Sequence, residues 1–297
     1  MVSKFQYKKI TSIRIGLLLM LTTLAFSLST CKKKPEVIPD NDAPYYSTIP
    51  TVQVENYINR IFIDLIGREP TNIEMANEFN ALRAAKLSTE SREFLINKLQ
   101  TDLTFVEGDT SYFLAYHHWF YEMTKARMIE GASDLDIRDA MTGDDSLRLA
   151  KLQAVLDINQ NFMDGSIYLA GIFSRLLDNY IYDFINMMTF NFVNSSFDNL
   201  YYRAPTSSEY QTSFDMIEYN VSLTLLEQAG ANKQDYIYIL TNTREFYEGL
   251  VIWAYRSLLA RSPTSWEVDN IMLTFYNTAN FKWVQKEIMK TDEYADF

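Results

Sequence analysis

Two histidines, His117 and His118, and five aspartates, Asp134, Asp136, Asp139, Asp144 and Asp145, come nearest in type and spacing to a reactive set. Imidazole beside carboxylate serves general acid–base catalysis or binds a transition metal, and clustered carboxylates suit Ca²⁺. Adjacent residues on a helix point about 100° apart, however, so His117 and His118 cannot chelate one ion as an i, i+4 pair does. Tyr112, Phe113, Tyr116, Trp119 and Phe120 surround them, which suits a hydrogen-bonded core histidine better than a ligand. The aspartates lack EF-hand spacing and read as helix caps on a solvated acidic loop, with the GDDS turn capping a helix from Ser146. No P-loop, G-x-G-x-x-G, G-x-S-x-G or H-E-x-x-H occurs, so no catalytic residue, metal site or cofactor is assigned. Paired carboxylates of the glycosidase kind have a spatial rather than a sequential spacing, and that route stays open.

Composition says what must hold these side chains. Of 297 residues, 47% are hydrophobic and 22% charged, a globular balance. Nine Gly and seven Pro are few, and 20 Tyr with 19 Phe are many, which disfavours a turn-dense sandwich and favours helices with an aromatic core. The net charge of −11 has the wrong sign for a phosphate backbone, so nucleic acid is not an expected partner.

Residues 1–14 carry Lys4, Lys8, Lys9 and Arg14 without an acid, and residues 15–28 are apolar but shorter than the ~20 residues of a membrane-spanning helix. The run ends in Leu28-Ser29-Thr30-Cys31, which resembles the lipobox of bacterial lipoproteins, with Thr30 where Gly or Ala is more usual. The resemblance implies cleavage before Cys31, the only cysteine, and a diacylglycerol on its thiol. A protein so processed is anchored rather than spanning, and residues 31–297 carry −15. Four of the seven prolines fall in residues 32–50, a tether that would reach roughly 25 Å as a coil. The amino-acid usage and tether are similar to those of Bacteroidota lipoproteins. In that group acids after the Cys are associated with surface export. Lys32, Lys33 and Lys34 stand there instead, which implies an outer-membrane anchor on the periplasmic face.

One pattern then occurs three times, aromatic-x-x-Leu-x-x-Arg-x-Pro-Thr-x-x-Glu. Its copies contain Arg68, Pro70, Thr71 and Glu74, then Arg203, Pro205, Thr206 and Glu209, then Arg261, Pro263, Thr264 and Glu267. Val54, Ile58, Ile61, Phe62 and Leu65 form the stripe of an amphipathic helix before the first copy, and Pro stops it. Thr-x-x-Glu is a capping box that starts the next helix. The arginine is placed to bond the first helix's free carbonyls or to pair with the capping Glu, a structural role. A tail follows each copy, with an aromatic six residues after a Leu-like position: Leu99 to Phe105, Leu240 to Phe246, Ile288 to Tyr294. A third helix ending in a polar turn and an aromatic plug is expected.

The expected fold is thus all-α: a signal segment (1–30), a lipidated Cys and tether (31–50), and one helical domain of about ten helices (51–297). Its modules span about 54–108, 190–249 and 251–297, with a helical insertion at 109–189. Within these, residues 179–192 read as a buried helix.

Residues 57–128, with YINRIFIDLIGREPTNIE and a following helix that contains His118-Trp119, resemble the N-terminal domain of unknown function of planctomycete cytochrome-type proteins. The C-x-x-C-H of those proteins is absent, so no haem carries over. The last module, YRSLLARSPTSWEV and then IMKTDEY, is similar to the helical repeat of phycobilisome linkers, with Ala260 for Gly and Thr291 for Ser. These likenesses imply a helical building unit rather than an activity. The expected function is a membrane-anchored, non-enzymatic binding or scaffold subunit of an envelope complex, with outer-membrane or periplasmic proteins as partners. Trp253, Trp266 and Trp283 are its expected interface, although packing into the core competes for them. The alternative is an enzyme or redox accessory with a site around His117, His118 and Asp134–Asp145.

Overall fold

Val54, Ile58, Ile61, Phe62 and Leu65 recur every three or four residues, and a helix is the conformation that puts them on one side. In the structure, a computed structural model that describes residues 48–106 and 110–297, they lie on α1 (Thr51–Ile66) and each is at most 1% exposed. The signal segment, Cys31 and the tether as far as residue 47 lie outside the described residues. The fold is all-α, with sixteen helices and two short hairpins among the described residues.

The first module is α1, α2 (Asn72–Ala84) and α3 (Thr89–Thr101). Its chain leaves α3 into a hairpin, β1 (Phe105–Val106) with β2 (Thr110–Ser111). The insertion follows as α4 (Tyr112–Met128), α5 (Asp134–Asp139), α6 (Ser146–Leu156), α7 (Ile158–Met163), α8 (Leu169–Leu177) and α9 (Tyr180–Ile185). Next comes the second module, α10 (Thr189–Tyr201), α11 (Ser207–Tyr219) and α12 (Lys233–Thr241), with a hairpin of β3 (Leu223–Leu225) and β4 (Gln228–Gly230) before its last helix. The third comprises α13 (Arg244–Leu259), α14 (Ser265–Thr278), α15 (Phe281–Met289) and α16 (Asp292–Ala295).

The helix number exceeds the expected ten because polar residues cut the insertion short. Asn179 illustrates this: its side-chain oxygen accepts from the amides of Ile181 and Tyr182 and starts α9. Asn186 ends α9 by donating to Tyr182 O at 3.0 Å. Asparagine competes with the helix for backbone partners, so residues 179–192 form two helices with a break rather than one buried helix.

Each module's first helix ends in left-handed backbone, at Gly67 (φ 74°), Tyr202 (φ 57°) and Ala260 (φ 54°). The plug residues Phe246 and Tyr294 are buried as expected, but Phe105 is 66% exposed, because β1 replaces the helical turn that follows α12 and α15. Module joins are tight: a Cβ on Gly249 of α13 would lie 1.8 Å from Leu200 O of α10, so only glycine permits this crossing. The third module also closes on the first. Tyr57 donates to Met289 O at 3.2 Å, Tyr294 to Asp64 at 2.7 Å, and buried Arg92 meets Asp292 at 2.8 Å.

Candidate functional site

The repeated Arg, Thr and Glu converge in every module. Thr71, Thr206 and Thr264 are N-caps of α2, α11 and α14, each in a complete capping box with Glu74, Glu209 and Glu267. Each arginine then grips the back of that glutamate through two bonds: Arg68 at 2.8 and 2.8 Å, Arg203 at 2.8 and 2.7 Å, Arg261 at 3.0 and 2.6 Å. Pro70, Pro205 and Pro263 sit just before the caps, where the missing amide is harmless. A second acid joins the clamps of Arg203 and Arg261. Glu245 binds Arg203 through Nε and, at 2.8 Å, through Nη2, while Glu293 binds Arg261 at 2.6 and 2.7 Å. Neither was singled out in the sequence, but both lie in a shared Thr-x-Glu-aromatic run, Thr243 to Phe246 and Thr291 to Tyr294. Thr104 occupies that place in the first module, and Glu74 instead accepts from Tyr112 Oη at 2.7 Å.

These clamps hold the three glutamates far down the carboxylate scale. Burial pushes Glu74 up, but Arg68, the Thr71 amide and Tyr112 outweigh it and bring it to about 2. Arg203 brings Glu209 and Arg261 brings Glu267 to about 2 against a smaller opposing effect of burial. Each capping glutamate is matched by the arginine of its own module, and the further partners come from the helix that follows, which makes the motif a rivet between helices.

His117 is 3% exposed, and its Nδ1 donates to Phe113 O at 2.7 Å, one turn back on α4. Burial among Phe113, Tyr116 and Phe162 drives its pKa down to about 4 and keeps it neutral. His118 is exposed. Asp134 accepts from Lys125 and Tyr121, both at 2.8 Å. Asp136 closes a capping box with Ser133, and Asp145 caps α6 through the amides of Leu147 and Arg148. Asp139 and Asp144 are exposed. No hydrogen bond or ion pair joins these aspartates to either histidine, and no three His, Cys, Asp or Glu side chains among the described residues are grouped to hold a metal ion.

The tryptophans separate. Trp253 stacks on Phe281 at 5.4 Å and 16° and belongs to the core rather than to the exposed surface. Trp283 is half-buried against the same core, and only Trp266 is open, at 72% exposure.

The large exposed apolar surface lies elsewhere, around the break between α9 and α10. Tyr180 stacks on Phe184 at 6.1 Å, and Phe190, Tyr210, Phe214 and Tyr219 follow one another at 5.7, 6.0 and 5.9 Å between ring centres. Phe184, Met187, Met188, Phe190 and Tyr219 are all exposed. Met188, Asp183 and Thr189 line a recess of about 280 Å³ with Phe192, Ile217 and Lys233. Met188 itself is 80% exposed, has φ 74°, and starts α10 without any side-chain cap. A non-glycine residue in such a conformation costs ~1–3 kcal/mol, and helix starts favour Ser, Thr, Asp or Asn over Met. Asn179, Asn186 and Asn191, spaced along an otherwise apolar run, are the sequence signal that this stretch is broken and turned outward.

No family model, curated protein or solved structure matches the chain. No helix among the described residues is long and apolar enough to cross a membrane.

Proposed function

We propose that the chain is a non-enzymatic scaffold or binding subunit of a bacterial envelope complex, anchored through a lipid on Cys31 to the periplasmic face of the outer membrane. The observation that carries this reading is the Tyr180–Tyr219 patch, where strain, a missing cap and exposed Met and aromatic side chains coincide. Soluble surfaces rarely keep contiguous apolar patches of this kind, and Tyr, Phe and Met are enriched where proteins meet. Unbranched methionines adapt their shape to a partner's surface. Local rules broken together at an exposed site mark function more often than stability. The likeness of the last module to linker repeats points the same way.

The test is a mild-detergent pull-down of the lipidated protein followed by mass spectrometry. A stoichiometric outer-membrane or periplasmic partner is expected, lost in Phe184→Asp/Met188→Asp and retained in Trp266→Asp. Capture that ignores the patch substitution, or a monomer that turns over a glycan, overturns the reading. Cys31→Ala should release a soluble protein from the membrane fraction; unchanged fractionation removes the anchor from the proposal.

A further inference from the structure

We propose that Met187 and Met188 form an oxidation site: a hydroperoxide converts their thioethers to sulfoxides, and the conversion turns the Tyr180–Tyr219 patch polar and releases its partner. The release rests on the reading of that patch as a contact surface; the site itself does not. No cysteine occurs among the described residues, so the thioether is their oxidisable sulfur. Met128, Met216, Met272 and Met289 are buried, each at most 2% exposed, and Met75, Met123, Met141 and Met163 are half-buried. Met187 and Met188 stand apart at 59% and 80%. They are neighbours at the break between α9 and α10, between the exposed rings of Phe184 and Phe190.

The chemistry needs no other group from the protein. A lone pair on the thioether sulfur attacks the outer oxygen of the hydroperoxide, the O–O bond breaks, and the proton on that oxygen passes to the departing oxygen. Each methionine gains one oxygen atom, and hydrogen peroxide leaves as water or an organic hydroperoxide as its alcohol. Sulfur gives up two electrons and the peroxide takes them. Access of the oxidant to sulfur therefore decides which methionine reacts, and methionine sulfoxide reductases, one for each epimer, reverse the step.

The two residues serve the fold through their backbones. Met187 O accepts from Asn191 Nδ2 at 2.8 Å, and Met188 O accepts from the Phe192 amide at 3.1 Å, while neither side chain belongs to the core. A sulfoxide leaves both bonds in place. On the surface its effect is large, because an apolar, adaptable side chain becomes a polar one that holds water. Side-chain donors beside Met188 already have acceptors: Thr189 Oγ1 donates to Glu218, Asn186 Nδ2 to Tyr182 O, and Lys233 is tied to Asp183. A partner that covers the patch must then strip water from the sulfoxides, and a polar group buried without a replacement bond is costly. Oxidation thus acts on binding and spares the frame.

The test treats the full lipidated chain with graded hydrogen peroxide and follows each methionine by peptide mass spectrometry. Met187 and Met188 should be oxidised about tenfold or more faster than Met128, Met216, Met272 and Met289. The urea midpoint of the oxidised chain should match that of the untreated one. Partner capture should fall by about tenfold or more and return after treatment with the two reductases. Met187→Leu/Met188→Leu, compared with itself before and after peroxide, should show no such fall. Oxidation of the buried methionines at the same rate overturns the proposal, as does a lowered midpoint, which would make the reaction damage to the fold. Undiminished capture by the oxidised chain, where Phe184→Asp/Met188→Asp abolishes capture, overturns the release and leaves the contact surface standing. Selective oxidation in a chain that captures no partner does the reverse: it supports the oxidation site and overturns the reading of the patch.

Discussion

Two helices of the second module start in opposite ways. α11 begins at Thr206, with extended backbone, a side-chain cap on the Glu209 amide, and Glu209 returning to the Thr206 amide at 2.7 Å. α10, immediately before it in the chain, begins at Met188, with positive φ, no cap and an apolar side chain in water. The first start satisfies each local rule and serves the fold; the second violates three at once, and the packing of its own module gives no reason for it. The same contrast runs through the molecule. The Arg–Glu rivets, the capping boxes and the neutral His117 are all paired or buried, and they make a frame. The Tyr180–Tyr219 surface is where that frame stops being self-sufficient.

The comparison breaks if the frame tolerates insult as readily as the patch. The largest expected effect is at Gly249, where a methyl group must displace the α10 backbone at Leu200. Gly249→Ala should destabilise by about 3 kcal/mol by overpacking, although alanine is the better helix former, and urea unfolding measures it. A neutral or stabilising result would mean that the α10–α13 crossing is looser than described.

Acid should separate the frame into two steps. Burial holds His117 near 4, below its ordinary 6.5, so the unfolded chain takes up a proton first. Stability present above pH 6.5 therefore declines as pH falls toward 4. Glu74, Glu209 and Glu267 sit near 2 against an ordinary 4.5, so their contribution is intact above pH 4.5 and declines as pH falls toward 2. Urea midpoints measured from pH 7 to 2 should fall across both windows. His117→Gln should flatten the upper window and leave the lower one, and an unchanged upper window would remove His117 from the frame.

Much of this frame was legible in the sequence, because it is built from short-range chemistry. Thr-x-x-Glu specifies a cap within four residues, and the arginine six residues before the glutamate reaches it across a single turn, so spacing alone suffices. The α1 stripe is read in the same way. Glu245 and Glu293 escaped because they pair over 42 and 32 residues of chain, and their shared Thr-x-Glu-aromatic run has meaning only once the third helix is known to return to the first turn. The patch escaped for a different reason. Apolar residues at 179–192 have the composition of a core helix, and only the asparagines among them, as local competitors for backbone hydrogen bonds, tell that the chain turns them outward. The tryptophans misled in the converse sense: Trp253 and Trp266 are close in sequence, but opposite sides of a helical hairpin take them to the core and to water.

Substituting the two contrasted helix starts sharpens the comparison. Thr206→Ala should cost about 0.5–2 kcal/mol as a lost cap, and Thr71→Ala and Thr264→Ala should each fall in the same range. Met188→Gly should go the other way, raising stability by about 1 kcal/mol through relief of positive φ while weakening capture of the partner. Thermal unfolding gives the signs. If both starts respond alike, strain at Met188 has no special standing.

The smallest expected effect tests whether left-handed backbone is by itself a sign of function. Tyr202 and Ala260 share the slot that Gly67 fills in the first module, and their φ values of 57° and 54° carry a similar intrinsic penalty. Tyr202 has compensation. Its ring lies 4.3 Å from the Arg127 guanidinium and 4.4 Å from that of Arg256, and its hydroxyl accepts from Arg127. Ala260 is exposed and has only a methyl group to offer. Ala260→Gly should therefore stabilise by about 0.5–1 kcal/mol, the relief of φ strain less the added freedom of the unfolded chain. Tyr202→Gly should destabilise despite the same relief, because it removes the ring that the two arginines grip. Opposite signs at equivalent positions would show that strain in this chain is tolerated where a side chain repays it in packing, which leaves Met188, strained and exposed without such contacts, to be explained by a partner.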